Sequence, residues 1–207
     1  MLRVVGEASP DDVTVRTRPR REQVRARVLE AARAVFAERG FAGASTDQVA
    51  AAAGFTKGAV YSNFGSKDEL FLALMDAEVA ARVTAVERAL AGTADLPGAL
   101  AAVGTELTAR DPAWQLLYLE FWQRAVRDPG ARAAFVASRR DLRARVCEVV
   151  ERFLADHPVH TGWDAGRLTL VLIALTNGLA LEALPDPEAV PDDVLPRVLA
   201  DLLDRAP

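Results

Sequence analysis

Apolar residues recur along most of the chain at steps of three and four residues, which is the period of an amphipathic α-helix. The pattern starts at Arg21 with Val24 and Val28, and Gly40 ends this first helical segment. Beyond Gly92 the helical segments are separated by short stretches such as "RDPG" and "DHPVHTG". Strand-like alternation of apolar and polar positions does not compete with this period in the sequence. The pattern therefore predicts an all-α fold.

Two short helices joined by a tight turn follow the first segment. Ser45 is placed to cap the first of them, which Gly54 ends after about two turns. Thr56 is placed to cap the second, which ends at Gly65, and Ser66 opens a long helix. This arrangement is typical of a helix-turn-helix, whose second helix enters the DNA major groove by its N-terminal end. The sequence therefore predicts a three-helix DNA-binding unit followed by a long linking helix.

The second short helix begins with residues that suit contact with DNA. Thr56 and the free amide groups of the first turn can face a phosphate, while Lys57 projects outward. Gly58 and Ala59 have too little side chain to block close approach of the backbone to the bases. The polar side of the helix continues with Tyr61, Ser62 and Asn63.

Charge is distributed unevenly along the chain. The net charge of the 207 residues is −4, yet residues 16–67 carry a net +6 and residues 68–207 a net −8. This separation indicates that one part of the chain faces a polyanion. Arg20 and Arg21 belong to the basic region and are predicted to contact DNA, and residues 1–20 are predicted to form a flexible basic arm.

Other features of the composition favour a globular protein of the cytoplasm. The hydrophobic fraction of 51% beside 26% charged residues is typical of a folded, soluble chain. Cys147 has no second cysteine with which to form a disulfide, and the N-terminus lacks a secretory signal pattern. The most apolar run, residues 168–184, falls short of the about 20 apolar residues that a bilayer span requires, so we expect no membrane association.

Residues 28–74, "VLEAARAVFAERGFAGASTDQVAAAAGFTKGAVYSNFGSKDELFLAL", resemble the tetracycline-repressor (TetR) family of one-component regulators. The family pattern is matched without gaps by Thr46, Val49, Ala50, Ala53, Gly54, Lys57, Gly58, Tyr61, Phe64, Lys67 and Leu70. The resemblance implies phosphate contacts by Thr46, Thr56, Tyr61 and Lys67, and base contacts by Lys57, Gly58 and Ala59. Ser62 stands where many relatives have a histidine.

The helix predicted over residues 112–127 carries five large apolar residues on one side, namely Trp114, Leu117, Tyr118, Phe121 and Trp122. They form either core between helices or the wall of a pocket for a small, mostly apolar ligand. In the apolar run 168–184 we expect Leu172, Thr176 and Asn177 to face the same ligand. Thr176 and Asn177 are alternatively hydrogen-bonding pairs buried between helices.

The last two predicted helices are candidates for contact with a second subunit. The resemblance to the TetR family implies that they form a four-helix bundle across a homodimer. The residues expected there are Leu170, Ala174, Leu181, Leu195, Val198, Leu199 and Leu202.

We therefore expect a basic arm over residues 1–20, a DNA-binding domain over 21–66, and a ligand-binding and dimerisation domain over 67–207 that starts with a linking helix over 67–91. The function predicted is a ligand-responsive regulator, a repressor released from a palindromic operator, that is not an enzyme and needs no cofactor. One alternative is a metal- or redox-sensing regulator of the same fold. His157 and His160 suggest metal binding, but a solvated loop is favoured over a metal site because Pro158 breaks their spacing. Another alternative is an all-α enzyme or binding protein that keeps the helix-turn-helix only as scaffold, although a phosphate loop, a nucleophile elbow and a histidine partner near Cys147 are lacking.

Overall fold

The computed structural model of the chain describes residues 21–93, 95–109, 111–157 and 159–204. Nine α-helices and a short 3-10 helix account for most of these residues, and none of the described residues lies in a strand. The all-α prediction is confirmed. The predicted basic arm, including Arg20, lies outside the described residues.

The helices follow one another closely along the chain. In order they are α1 (Arg21–Gly43), α2 (Thr46–Ala53), α3 (Lys57–Phe64), α4 (Lys67–Ala91), α5 (Leu96–Thr108), α6 (Pro112–Arg127), α7 (Pro129–Asp156), α8 (Ala165–Glu182) and α9 (Val194–Leu203), with the 3-10 helix Pro187–Ala189 before α9.

Local sequence signals determine where the first four helices begin and end. Ser45 forms the full capping box expected at the start of α2, and Thr56 Oγ1 accepts a hydrogen bond from a backbone N–H of α3. Gly54 and Gly65 have φ angles of 71° and 70°, a left-handed conformation that costs glycine little. Gly40 interrupts α1 instead of ending it, because its φ of 68° and ψ of 170° break the helix before one further turn.

One hydrophobic core joins the three N-terminal helices to α4 and α6. Phe36 of α1, Phe71 of α4 and Phe121 of α6 are all fully buried within it. A second, smaller cluster holds α5, α8 and α9 together around Leu100 and Leu168. The helix-turn-helix is therefore packed directly against the larger helical body.

The long helices α4 and α7 run parallel to each other, side by side. Near their N-terminal ends the Ser138 hydroxyl donates to Asp76 at 2.8 Å, and nearer their C-terminal ends Arg152 pairs with Glu87. Both helices lead away from the helix-turn-helix, and the space between them and α5, α6, α8 and α9 contains the cavity described below.

Candidate DNA-binding surface and ligand cavity

Side-chain contacts link α2 to α3 across the tight turn. The Thr46 hydroxyl donates a hydrogen bond to the Tyr61 hydroxyl at 3.2 Å. The Lys57 ammonium donates to Asp47 at 2.9 Å and lies 6.0 Å from the centre of the Tyr61 ring. The hydrogen bond from Lys57 to Asp47 and the negative charge of that carboxylate raise the pKa of Lys57. The structure thus brings three of the predicted DNA contacts together, with Asp47 as a partner that sequence reasoning missed.

The other residues of α3 predicted to contact DNA differ in whether their groups are already hydrogen-bonded in the free protein. Gly58 is exposed and has only the Thr56 hydroxyl close to where a Cβ would lie, so the backbone is open to approach. Ser62 and Asn63 both donate to the carbonyl of Ala59, at 3.0 and 2.8 Å. Their side-chain donors are therefore directed at their own helix in the free protein.

Lys67 has a structural role that the sequence did not indicate. Its ammonium donates to the carbonyls of Phe41 and Ala44 at 2.8 and 3.0 Å, and it lies 4.5 Å from the centre of the Phe41 ring. An ammonium has three donors, so one remains for another acceptor. Lys67 therefore stabilises the end of α1. Arg21, by contrast, is exposed at the start of α1.

Helix α6 is bonded to α1 and to the start of α4 through two charged residues. Glu120 accepts a hydrogen bond from the Phe41 amide at 2.7 Å, just after the break in α1. Arg124 donates from Nε and a terminal nitrogen to the two oxygens of Asp68 at 3.0 and 3.1 Å. These contacts join residues 56 or more positions apart, and no short-range sequence signal could have indicated them.

A cavity of about 230 Å³ lies in the larger helical body, lined by residues of α4 to α9. Of the residues predicted to face a ligand, those that line it are Trp114, Tyr118, Leu172, Thr176 and Asn177. Thr176 donates its hydroxyl proton to the Leu172 carbonyl at 2.8 Å, whereas the side chain of Asn177 forms no hydrogen bond within the described part of the chain.

Three residues predicted for the ligand site lie elsewhere, and the structure corrects them. Phe121 is fully buried in the main core, stacked on Phe71 with ring centres 4.4 Å apart. Leu117 is 2% exposed in the same core. Trp122 lies at the surface, 39% exposed, against the edge of other aromatic rings. For the first two residues the interpretation as core between helices applies, and none of the three lines the cavity.

Tyr118 lines the cavity and carries an unusual polar group. Its hydroxyl is buried and has no hydrogen-bond partner among the described residues. Burial raises the pKa of the Tyr118 phenol to about 12, and the positive charge of Arg139 opposes part of this rise. The Arg139 guanidinium lies 5.9 Å from the centre of the Tyr118 ring and 5.3 Å from that of Trp122.

The outer face of α8 is apolar and uncovered. Leu170 and Leu181 are 51% and 45% exposed, and Ala174 and Gly178 are exposed between them. A Cβ added at Gly178 would meet nothing within 4 Å. Among the described helices, α8 alone meets the length and composition of a membrane span, although its apolar run was expected to fall short of one; its mean hydropathy is 1.3 and 11% of its residues are buried.

Three of the four residues of α9 predicted to contact a second subunit face the interior of the protomer. Leu195 is fully buried inside the protomer, and Leu199 and Leu202 line the cavity. This corrects the prediction for Leu195, because a residue with no exposed surface cannot contact a second subunit without rearrangement of the chain. Val198 is partly exposed.

The described residues contain no group of three or more His, Cys, Asp and Glu side chains arranged to hold a metal ion. His157 instead stacks on the ring of Phe153 with ring centres 4.3 Å apart. Cys147 is partly buried, with its sulfur 3.7 Å from a carboxylate oxygen of Glu151.

Fold and site define an all-α protein in which a helix-turn-helix is packed against a helical body with a cavity. Residues 28–74 match the family described as "Bacterial regulatory proteins, tetR family", and residues 93–206 match "BetI-type transcriptional repressor, C-terminal". The second match spans more than half of the chain. The chain therefore belongs to the TetR family of bacterial regulatory proteins, which decides against the enzyme alternative.

Individual relatives agree with this family. The chain is 40% identical over 75 residues to the transcriptional activator FasR of Mycolicibacterium smegmatis, which is 36% of this chain and 34% of that protein. It is 46% identical over 50 residues to the transcriptional repressor AcnR of Corynebacterium efficiens, 24% of this chain and 27% of that one. The chain thus spans about a third of the length of these relatives. A crystal structure of a transcriptional regulator from Rhodococcus sp. Rha1 superimposes with a TM-score of 0.66 at 27% identity, covering 86% of this chain and 93% of that one.

Proposed function

We propose that the chain is a homodimeric transcriptional repressor that binds an inverted-repeat operator and releases it when a small molecule fills the cavity. The observation that carries this proposal is the position of α6, which lines the cavity and also holds the helix-turn-helix. Tyr118 faces the cavity, and Glu120 two residues later accepts a hydrogen bond from the backbone of α1. The C-terminal match to a repressor family supports repression over activation.

The DNA-binding domain is residues 21–66, and the operator contacts come from α2 and α3. Tyr61, supported by the Thr46 hydroxyl, contacts phosphate together with Thr56. Lys57 exchanges its bond to Asp47 for a base edge or phosphate when DNA binds. The net charge of +6 on residues 16–67 supports DNA binding by this part of the chain, since the rest of the chain is acidic.

A second copy of the chain covers the outer face of α8. Exposed leucines at positions 170 and 181 flank the small residues Ala174 and Gly178, so that another helix can approach closely. Burial of this apolar face is the driving force for association. The homodimer then presents two copies of α3 to DNA, which requires an operator with two-fold symmetry.

Release follows from a shift of α4 and α6. Helix α4 has 25 residues and is about 37 Å long at 1.5 Å per residue, so a small tilt at the cavity moves its N-terminal end beside α3. Helix α6 moves with it, because Arg124 is bonded to Asp68 in the first turn of α4. Ligand and operator therefore oppose one another, each lowering the affinity of the other by the same factor.

Selection of binding sites from random DNA by the purified chain tests the proposal. We expect an inverted repeat whose half-sites lie about one helical turn or a multiple of it apart, with affinity that falls steeply as salt rises. Lys57→Ala should relax the preference at one or two base positions. Leu170→Glu should reduce binding of the full repeat to that of a single half-site, while Val126→Glu, at an exposed apolar position of α6, should not. Recovery of no symmetric site would contradict the proposal.

A further inference from the structure

The cavity has a polar end and an apolar end. At the end nearest the helix-turn-helix the lining includes polar residues beside the apolar Met75, Val79 and Trp114; these polar residues are Glu78 and Arg82 of α4, Gln115 and Tyr118 of α6, and Ser138 and Arg139 of α7. Toward the C-terminal ends of α4 and α7 the lining becomes aliphatic and aromatic, with Val86, Leu90, Val150, Phe153 and Leu154. Arg139 and Leu154 are fifteen residues apart on α7, which is about 22 Å at 1.5 Å per residue. The cavity is thus elongated and amphipathic.

The two arginines at the polar end have no ion-pair partner among the described residues. Glu78 pairs instead with Arg33 at 2.7 Å, an arginine that it shares with Asp111 at 2.8 Å. Arg82 and Arg139 form no salt bridge with any residue that the structure describes. The nearby Asp76 accepts the Ser138 hydroxyl and does not line the cavity. Two arginines therefore have free donors at the end of an otherwise apolar cavity.

A further donor lies at the same end. Tyr118 lines the cavity, and its hydroxyl is buried without a hydrogen-bond partner among the described residues. A buried hydroxyl without a partner costs free energy that a ligand oxygen would recover. The two guanidinium groups and this phenol belong to residues that line the same end of the cavity, and their donors suit an anionic oxygen group.

The same geometry disfavours a cationic ligand. Aromatic rings can bind a quaternary ammonium group by their faces. In this chain Arg139 already lies over the rings of Tyr118 and Trp122, so a second cation there would be repelled. Glu78, the carboxylate among the residues that line the cavity, is held by Arg33.

We infer that the cavity binds an amphipathic anion: a carboxylate or phosphate-bearing head group at Arg82, Arg139 and Tyr118, with an aliphatic tail directed between α4 and α7 toward Leu154. This inference rests on the proposed function, since it names the ligand class of the same cavity. A free carboxylic acid and an acyl thioester of coenzyme A share the required chemistry, and the experiment distinguishes them.

Titration calorimetry of the full chain with four probes of equal tail length tests this inference. The probes are dodecanoate, dodecanoyl-coenzyme A, 1-dodecanol and dodecyltrimethylammonium, each below the concentration at which it forms micelles. We expect at least one of the two anions to bind tenfold or more tighter than the alcohol, and the cation to bind more weakly than the alcohol. Binding of neither anion, or an alcohol or cation that binds as tightly as the better anion, overturns the inference.

Arginine variants show where the head group lies. Arg139→Gln and Arg82→Gln should each weaken the better anion about tenfold and leave 1-dodecanol unchanged, while Arg139→Lys should retain most of the affinity. Arg140→Gln is the matched control, because Arg140 is an exposed neighbour on α7 that does not line the cavity. Arg82 is exposed, so its variant reports on binding even if Arg139→Gln fails to fold. Unchanged anion binding in both glutamine variants overturns the inference.

Operator binding is measured separately on the same preparations. If the chain selects an inverted repeat but binds neither anion, the ligand class is wrong and the proposed function stands. If it selects no operator but binds the anion through Arg82 and Arg139, the proposed function is wrong and the cavity chemistry stands.

Discussion

Replacement of Phe121 by alanine tests whether this residue belongs to the core or to the ligand site. Phe121 has no exposed surface, and its ring centre lies 4.4 Å from that of Phe71 and 5.2 Å from that of Phe41. Truncation of a buried phenylalanine to alanine costs about 3–5 kcal/mol, because the cavity left behind collapses only in part. A domain of ordinary stability has about 5–15 kcal/mol in total, so Phe121→Ala should remove a large share of it.

Urea unfolding followed by circular dichroism measures this loss. The protomer concentration must be equal for all variants, since association of subunits adds to apparent stability. Leu116→Ala is the control on the same helix, because Leu116 is 52% exposed and its loss should cost less than about 1 kcal/mol. A Phe121→Ala variant as stable as this control, with altered ligand response and normal operator affinity, would refute the placement of Phe121 in the core.

Two further predictions concern the DNA surface and the cavity. Asp47→Asn should raise affinity for random DNA about two- to fivefold at low salt, because it removes a negative charge and frees Lys57, and an unchanged affinity in a filter-binding assay would contradict this. The free energy of unfolding should fall by about 2 kcal/mol between pH 10 and 12 on account of Tyr118, whose pKa is about 12 when folded and 10 when unfolded, because the unfolded chain loses this proton first. Tyr118→Phe should lack this loss of stability between pH 10 and 12. If the free energies of unfolding of the two proteins fall in parallel over this pH range, the buried position of the phenol is contradicted.

The sequence predicted well what depends on neighbours along the chain. The capping box at Ser45, the cap at Thr56 and the glycine stops at positions 54 and 65 all appear in the structure. Each of these signals acts within four residues, so its effect is decided before the chain packs. Gly40 was predicted to end α1, but its positive φ only interrupts the helix, which continues for one further turn to Gly43. Lys67 donates hydrogen bonds to the carbonyls of Phe41 and Ala44, in and just after that turn.

Predictions that depended on the outer surface of a helix were less successful for α9. The spacing of Leu195 and Leu199 indicates an apolar face but not what covers it. In the structure Leu195 is buried within the protomer and Leu199 lines the cavity. The exposed apolar face lies instead on α8, at Leu170 and Leu181. The spacing of apolar residues shows which side of a helix is apolar. What packs against that side depends on the tertiary structure.

Helix α6 shows that helical spacing also does not predict what covers successive residues on one face of a helix. Tyr118 and Phe121 are three residues apart, so the helical period places them on the same side, and both were predicted to face a ligand. Their separation along the axis is only about 4.5 Å, yet one faces the cavity and the other is buried against Phe41 and Phe71. The boundary between cavity and core therefore falls within a single turn of α6. Because Glu120 and Arg124 bond α1 and α4 within the next two turns, the element that contacts a ligand is the element that holds the DNA-binding helices.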